Sequence, residues 1–407
     1  MFKIMFASDA TIEVIKKVDA LPSIAIEDAS IGYDDTFRLR FFKTIVADLN
    51  VISLFNVNRF YRKTSYDDSS VLVDNKDMNY VLRYNMYEDD DSTLNVNMKL
   101  LEKGSEVYSK SYKVSKQNIY MFVSHAMAYD INEFMGEPSV EWMKRKVIFS
   151  RIVAPKQSEI VISDYSLSYQ HIIVKGGFNV FPKWANMKQQ SFYYTSLDGL
   201  KPKLKYVDIR TAQVSSILSS DGMLVCSDVS VNGKDLLLTM AKYGQPDIYS
   251  YNIDSKKLKR ITKYGGIDVN AQFMGSDKII FISSRLGYPN VFSKSLLTNE
   301  VEQLVYYGRS NSACSSNAEY IVYKARETSN SFEKNTFNLH LISMKTDFIR
   351  RLTATGVNEF PRFSKDGDAI LFIKNYKNQS SIGIIRLNHN KNYLFPLAYG
   401  KVQSIDW

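Results

Sequence analysis

The sequence predicts a two-part α+β chain: a small N-terminal α/β domain at residues 1–145, then a six-bladed β-propeller at 146–407. Three observations carry this reading. Helical periodicity is confined to the first 140 residues. Beyond residue 147, short apolar runs alternate with turn signals, and those runs recur at near-constant intervals. At 407 residues the chain is also too long for one ordinary core, and its 27 Tyr and 23 Phe suit strands better than helices.

The first helix is read from Phe37, Phe41, Phe42, Ile45, Val46 and Leu49, which fall on one stripe with Asp34 or Asp35 as cap. A second is expected over 116–135. Ile119, Phe122, Val123, Ala126, Met127, Ile131 and Phe134 share a face there, Ser115 caps the start, and Gly136 then Pro138 stop it. Between them, 80–87, 93–101 and 106–114 read as strands, giving a two-helix layer on a short sheet. The acidic turn 88–92 lacks the ligand alternation and glycine of a calcium loop, and reads as a solvated hairpin tip.

The repeat begins after residue 147. Each unit has an apolar anchor, a polar turn, then a continuous apolar run. The anchors are Trp184, Val229, Phe273, Cys314, Phe363 and the terminal Trp407, spaced by 45, 44, 41, 49 and 44 residues. Such spacing matches four-stranded blades. Asn232-Gly233 and Asp366-Gly367 are tight-hairpin pairs joining the first two strands of a blade. Residues 147–153, 159–164 and 170–174 supply three strands with no innermost strand ahead of them, whereas 402–407 is an innermost strand with no blade behind it. Joined, they complete a sixth blade and remove an open edge.

Composition narrows the function. The net charge is +9, but the basic residues are spread along the chain without a basic arm, so a solvated cationic surface is favoured over nucleic-acid binding. No run approaches 18 apolar residues, and nothing reads as membrane-embedded. Cys226 and Cys314 form no CxxC pair, and His125, His171, His340 and His389 lie far from them and from each other, so no metal site and no cofactor is expected. The start, Met1-Phe-Lys-Ile-Met-Phe-Ala7, has a basic residue and a small-residue exit. Its apolar part is too short for a complete signal peptide, and it fits a trimmed export signal or a plain start alike.

Several segments together resemble the TolB family of the Tol-Pal system. Ala47-Asp-Leu-Asn50 with Ser53-Leu-Phe-Asn56 is similar to the signature on that family's first helix. His125-Ala126, Asp130-Ile131 and Gly136-Glu137 resemble its second helix, and Arg151-Ile-Val153 with Glu159-Ile-Val-Ile-Ser-Asp-Tyr165 its first blade. Phe360-Pro-Arg-Phe-Ser-Lys-Asp-Gly367 is the best copy of the blade motif, whose Asp-Gly turn is lost at 184–189 and 314–319. The resemblance implies a periplasmic, non-enzymatic monomer that binds the lipoprotein Pal through the propeller and TolA through its N-terminal segment. It further implies a role in outer-membrane integrity and in constriction during cell division, with other outer-membrane proteins or bacteriocins as further candidate partners.

Loops leading into the inner strands of a propeller lie on one face, around the channel mouth. The residues shortly before each anchor are therefore the expected Pal site: Val180, Phe181, Val225, Cys226, Val269, Asn270, Asn311, Ser312, Asn358, Glu359 and Gln403. Binding is the favoured reading for the polar members Asn270, Asn311, Asn358 and Glu359, and packing of the channel wall for the apolar ones. Residues 10–19 alternate like an extended strand, and within them Thr11, Ile12, Glu13, Val14 and Ile15 are the expected TolA contact, with an edge of the small sheet as the plainer alternative. Catalysis is the weaker class, because the chain has no G-x-S-x-G elbow and no histidine cluster over the channel. A propeller that grips peptidoglycan or another glycan directly is the remaining alternative.

Overall fold

A computed structural model describes residues 21–89, 93–115, 117–317, 319–327, 336–346 and 348–407. Contacts divide the chain into two compact units: the described residues up to Tyr87 together with Asn95–Tyr112, and Glu88–Leu94 together with Lys113–Trp407.

The first unit contains β1 (Ser23–Asp28), α1 (Asp35–Ile52), β2 (Asn56–Val57), β3 (Arg62–Lys63), β4 (Tyr80–Glu88), β5 (Leu94–Glu102) and β6 (Ser105–Val114), the last strands crossing its boundary. The sheet order is β2-β1-β4-β5-β6, with β3 also on β1 and β1 parallel to β4. Helix α1 starts where Asp34 Oδ1 accepts the Phe37 amide at 2.9 Å. It ends at Ser53 in the left-handed conformation. Phe37, Phe41, Phe42, Ile45 and Leu49 of the expected stripe are buried, and Val46 at its margin is half-buried. Strand β1 was not expected.

Helix α2 (Tyr120–Phe134) begins later than the periodicity suggested. A 3-10 turn, Gln117–Ile119, precedes it, and no side chain caps it, so Ser115 does not play the role expected of it. Gly136, at φ +73°, closes the end. The boundary expected at 145/146 marks where the blade strands begin, but α2 groups with them. The reason is local: His125 is fully buried beside Asp164, and its ring lies 4.6 Å from that of Tyr165.

After α2 the chain is antiparallel sheet, four strands at a time. The strands run β7 (Val147–Ala154), β8 (Gln157–Ser163), β9 (Gln170–Val174); β10 (Asn179–Trp184), β11 (Ser191–Ser196), β12 (Lys203–Asp208), β13 (Gln213–Ser219); β14 (Leu224–Val229), β15 (Asp235–Met240), β16 (Asp247–Asn252), β17 (Leu258–Arg260); β18 (Asp268–Met274), β19 (Lys278–Ser283), β20 (Asn290–Ser295), β21 (Val301–Gln303). Two further meanders are β22 (Arg309–Ser316) to β25 (Ile349–Arg351), through β23 (Tyr320–Arg326) and β24 (Phe337–Ser343), and β26 (Val357–Phe363) to β29 (Lys391–Pro396), through β27 (Ala369–Tyr376) and β28 (Gln379–Arg386). A single parallel bridge, Phe337 with Val357, links these two. The last strand, β30 (Lys401–Asp406), pairs with β7, giving the order β30-β7-β8-β9.

Sheets pack face to face because their strands are apolar on both sides. On β15, Leu236 and Leu238 join Tyr193 and Leu204 of the preceding sheet, while Leu237 joins Ile279 and Phe281 of the next. The same alternation places Ile321 and Tyr323 against Ile280 and Ile282, and Val322 against Ile370 and Phe372. Two-sided burial explains why these strands read as unbroken apolar runs.

One anchor assignment needs correction. Ser316 pairs with Ile321 as Phe273 pairs with Ile279 and Phe363 with Ile370. The Phe363 amide also donates to Ser315 Oγ, as the Phe273 amide does to Asp228 and the Trp184 amide to Asp406. The anchor position of that sheet is therefore Ser316, two residues beyond Cys314. Apolarity misled because a serine stands where the other sheets carry Trp, Phe or Val.

Candidate functional site

The innermost strands are β10, β14, β18, β22, β26 and β30, and each is interrupted by a register shift near its start. A bulge bends a strand and re-aims the side chains at the shift. In four of the six, a non-glycine residue sits there with positive φ: Phe181 at 54°, Asn270 at 56°, Ser310 at 59° and Phe360 at 50°. A bulky aromatic residue in that region is a true outlier, held only where the surrounding fold imposes it.

These bulges surround a cavity of about 370 Å³, lined by residues of all six innermost strands together with Met223, Thr239 and Lys324. Its wall is mainly apolar, and the rings of Phe181 and Phe360 stand 6.3 Å apart beside it. Near them Lys324 Nζ donates to Glu359 Oε1 at 2.7 Å and lies 4.3 Å from the Phe337 ring. Deeper in, Lys183 bridges Asp406 at 2.9 Å and Asp228 at 3.1 Å. Burial disfavours the Lys183 charge, but the two carboxylates outweigh it and hold its pKa above the ordinary lysine value. A second, polar cavity of about 270 Å³ lies beyond, also bordered by Lys183 and Arg362.

Of the eleven residues expected at the mouth, Phe181, Val225, Cys226, Val269, Asn270, Ser312 and Glu359 line the cavity. Asn311 and Asn358 do not; both are fully buried. Each amide donates to the backbone of its own lead-in loop, Asn311 to Tyr307 O at 3.0 Å and Asn358 to Thr355 O at 3.1 Å. Asn179 does the same to Gly176 O at 2.7 Å, so asparagine here is a loop clamp. Val180 is buried, and Gln403 Oε1 accepts from Ser150 Oγ. Sequence reasoning missed Phe360, Lys324, Lys183 and Arg362. The bulge adds residues that simple counting back from an anchor skips, and Lys324 comes from a second strand. Thr11, Ile12, Glu13, Val14 and Ile15 lie outside the described residues, as does the tip of the 88–92 turn.

Cys226 and Cys314 are free thiols on β14 and β22. Burial pushes both thiol pKa values up, that of Cys314 to about 12. A thiol reagent at pH 8 is expected to modify neither until the protein is unfolded. Rapid labelling of Cys314 in the native protein would show the inner strands to be open, whereas labelling confined to Cys226 would report reagent entering the cavity that this residue lines. Among the described residues, no group of three or more His, Cys, Asp or Glu could hold a metal ion, and no helix is long and apolar enough to cross a membrane.

Sheets packed face to face around a recess built from every innermost strand define a β-propeller with a central cavity. The TolB beta propeller domain matches residues 142–407. The Tol-Pal system protein TolB of Wolinella succinogenes is 46% identical over 99% of this chain and 97% of its own length. That of Campylobacter jejuni strain RM1221 is 42% identical over 99% and 96%. The crystal structure of TolB from Acinetobacter baumannii superposes with a TM-score of 0.78 at 18% identity, covering 95% of this chain and 97% of that one, and so shares the fold. The chain belongs to the TolB family.

Proposed function

We propose that this chain is a periplasmic, non-catalytic component of the Tol-Pal envelope system that acts by docking other proteins. Six blades, closed into a ring by the C-terminal strand, form its main platform. The cavity mouth receives the lipoprotein Pal, and the N-terminal segment containing residues 11–15 engages TolA. Through these contacts the protein supports outer-membrane integrity and constriction at division.

The observation that carries the reading is the pair Phe181 and Phe360. Two half-buried aromatic side chains stand in left-handed bulges beside a mainly apolar cavity, at a bulge position where β18 carries the smaller Asn270 in the same conformation. Such rigid aromatics are the usual anchors of a protein interface. A charged rim pair, Lys324 with Glu359, sets orientation more than affinity.

Phe360→Asn tests this directly, because asparagine tolerates the left-handed backbone while removing the ring. Titration calorimetry with soluble Pal should show affinity reduced by about tenfold or more, with normal melting. Glu359→Lys should also weaken binding, since it places two ammonium groups together. Unchanged Pal affinity in both variants would refute the mouth assignment. Retained binding to purified sacculi stripped of lipoprotein, lost in the same variants, would favour a glycan instead.

A further inference from the structure

The six outer strands are not built alike. β17, β21 and β25 are three residues long, and each carries charge: Lys259 and Arg260, Glu302, Arg350 and Arg351. β29 contains Lys391 and ends on Pro396. β9 has no Asp, Glu, Lys or Arg but has five residues, three of them half-buried. β13 has seven, Gln-Val-Ser-Ser-Ile-Leu-Ser, with no charge and no proline. Residues 213–216 are exposed throughout, and among the described residues β13 pairs only with β12.

An open edge presents unpaired N–H and C=O groups, and stable proteins blunt such edges by shortening, charge or proline. β13 is blunted only by a bulge between the pairs Leu204–Leu218 and Lys205–Ser216. That leaves Gln213, Val214, Ser215 and Ser216 in regular register opposite Asp208, Val207, Tyr206 and Lys205.

We propose that β13 is a strand-addition site for an extended acidic segment of another protein. Main-chain bonding would supply affinity along the free edge. The acidic preference follows from β12. Lys203 and Lys205 are paired across the ladder with Ser219 and Ser216, and among the described residues neither makes an ion pair, Lys205 Nζ lying instead 5.9 Å from the centre of the Tyr194 ring. The serine opposite Lys203 is short, so this exposed ammonium has room to lean over β13 toward a fifth strand, whereas that of Lys205 rests over the Tyr194 ring of β11 and must swing across the sheet to join it. Val214, 54% exposed on the same face as Lys205, offers an apolar contact beside them. A second copy paired through β13 would bring the same basic strand to the other side of the joint edge and no acidic strand with it, so it lacks the complementarity that an acidic segment offers.

The test uses the full chain and a dye-labelled ten-residue peptide alternating Val and Glu. Fluorescence anisotropy should show binding, and amide hydrogen exchange across residues 213–219 should slow when the peptide is present. Lys203→Glu with Lys205→Glu should weaken binding by about tenfold, as expected for two screened surface charges reversed in sign. A peptide with Lys in place of Glu should bind no better than that variant does. Absence of protection at 213–219, or equal binding of the two peptides, overturns the proposal. Protection of the same amides without peptide, together with a dimer in light scattering, overturns it in favour of a second copy.

Discussion

Deleting residues 401–407 is expected to lower the melting temperature of all the sheets after β6 together, not of one sheet alone. β30 supplies the inner partner of β7, so its loss exposes that strand's edge. It also removes the Trp407 indole N–H bond to Phe363 O at 3.0 Å and the packing of Trp407 against Trp142, 5.7 Å between rings. A subtler variant isolates one contribution. Asp406 accepts the Trp184 amide at 3.0 Å and the Lys183 ammonium at 2.9 Å. In Asp406→Ala, the buried lysine keeps only Asp228, and removing one partner of a buried pair commonly costs about 3–5 kcal/mol. For a unit of this size that corresponds to a fall of roughly 6–12 °C, read by circular dichroism. The sign with pH is fixed by Lys183. Its folded pKa is raised, so the contribution is complete at neutral pH and fades only as pH climbs through that raised value. Truncated protein that melts like the full chain would rule out a role for β30 in holding the sheets together.

Most of the sheet architecture was legible because it depends on local signals that repeat. Asp366-Gly367 reads as a hairpin and forms one, with Gly367 at φ +81° and its amide bonded to Ser364 O. The runs at 236–240, 279–283 and 370–373 are apolar on both faces, and both faces are buried. Strand β30 was legible by elimination, since 402–407 is strand-like and 147–174 lacked an inner strand. What failed was finer than the strand. The bulges of the inner strands have no residue signature in common: Phe181, Ser227, Asn270 and Phe360 occupy them. Counting back from an anchor therefore landed on Asn311 and Asn358, polar residues that look available and are buried clamps. Ser316 failed for the opposite reason, a small polar residue at a position held elsewhere by large apolar ones. In the first unit, β1 was missed because its sequence, Ser-Ile-Ala-Ile-Glu-Asp, ends on two carboxylates. Acidic residues are poor strand formers in isolation, and only their buried partners make them tolerable there.

Those partners make the second large prediction. Glu27 and Arg83 are both fully buried, with Oε2 receiving Nε at 2.9 Å and Nη2 at 2.7 Å. Glu27 Oε1 accepts the Leu72 amide at 3.0 Å and Asn75 Nδ2 at 2.8 Å, while Arg83 donates to Asp68 O and Ser70 O. One ion pair therefore ties adjacent strands β1 and β4 to residues 68–75, a stretch with little regular structure of its own. Glu27→Ala strands a guanidinium in a dry interior and is expected to destabilise the first unit by about 3–5 kcal/mol. The pair itself need not be a net stabiliser, since two buried charges also lose their hydration. Glu27→Leu with Arg83→Met should accordingly recover much of the loss, because shape is kept and no charge is left unpaired. Urea unfolding followed by hydrogen exchange of the β1 and β4 amides separates the outcomes. A double variant no more stable than Glu27→Ala would show that the backbone bonds to 68–75, and not the stranded charge, dominate the cost. A Glu27→Ala protein as stable as the parent would mean that water reaches Arg83 and that the pair is not the tie described.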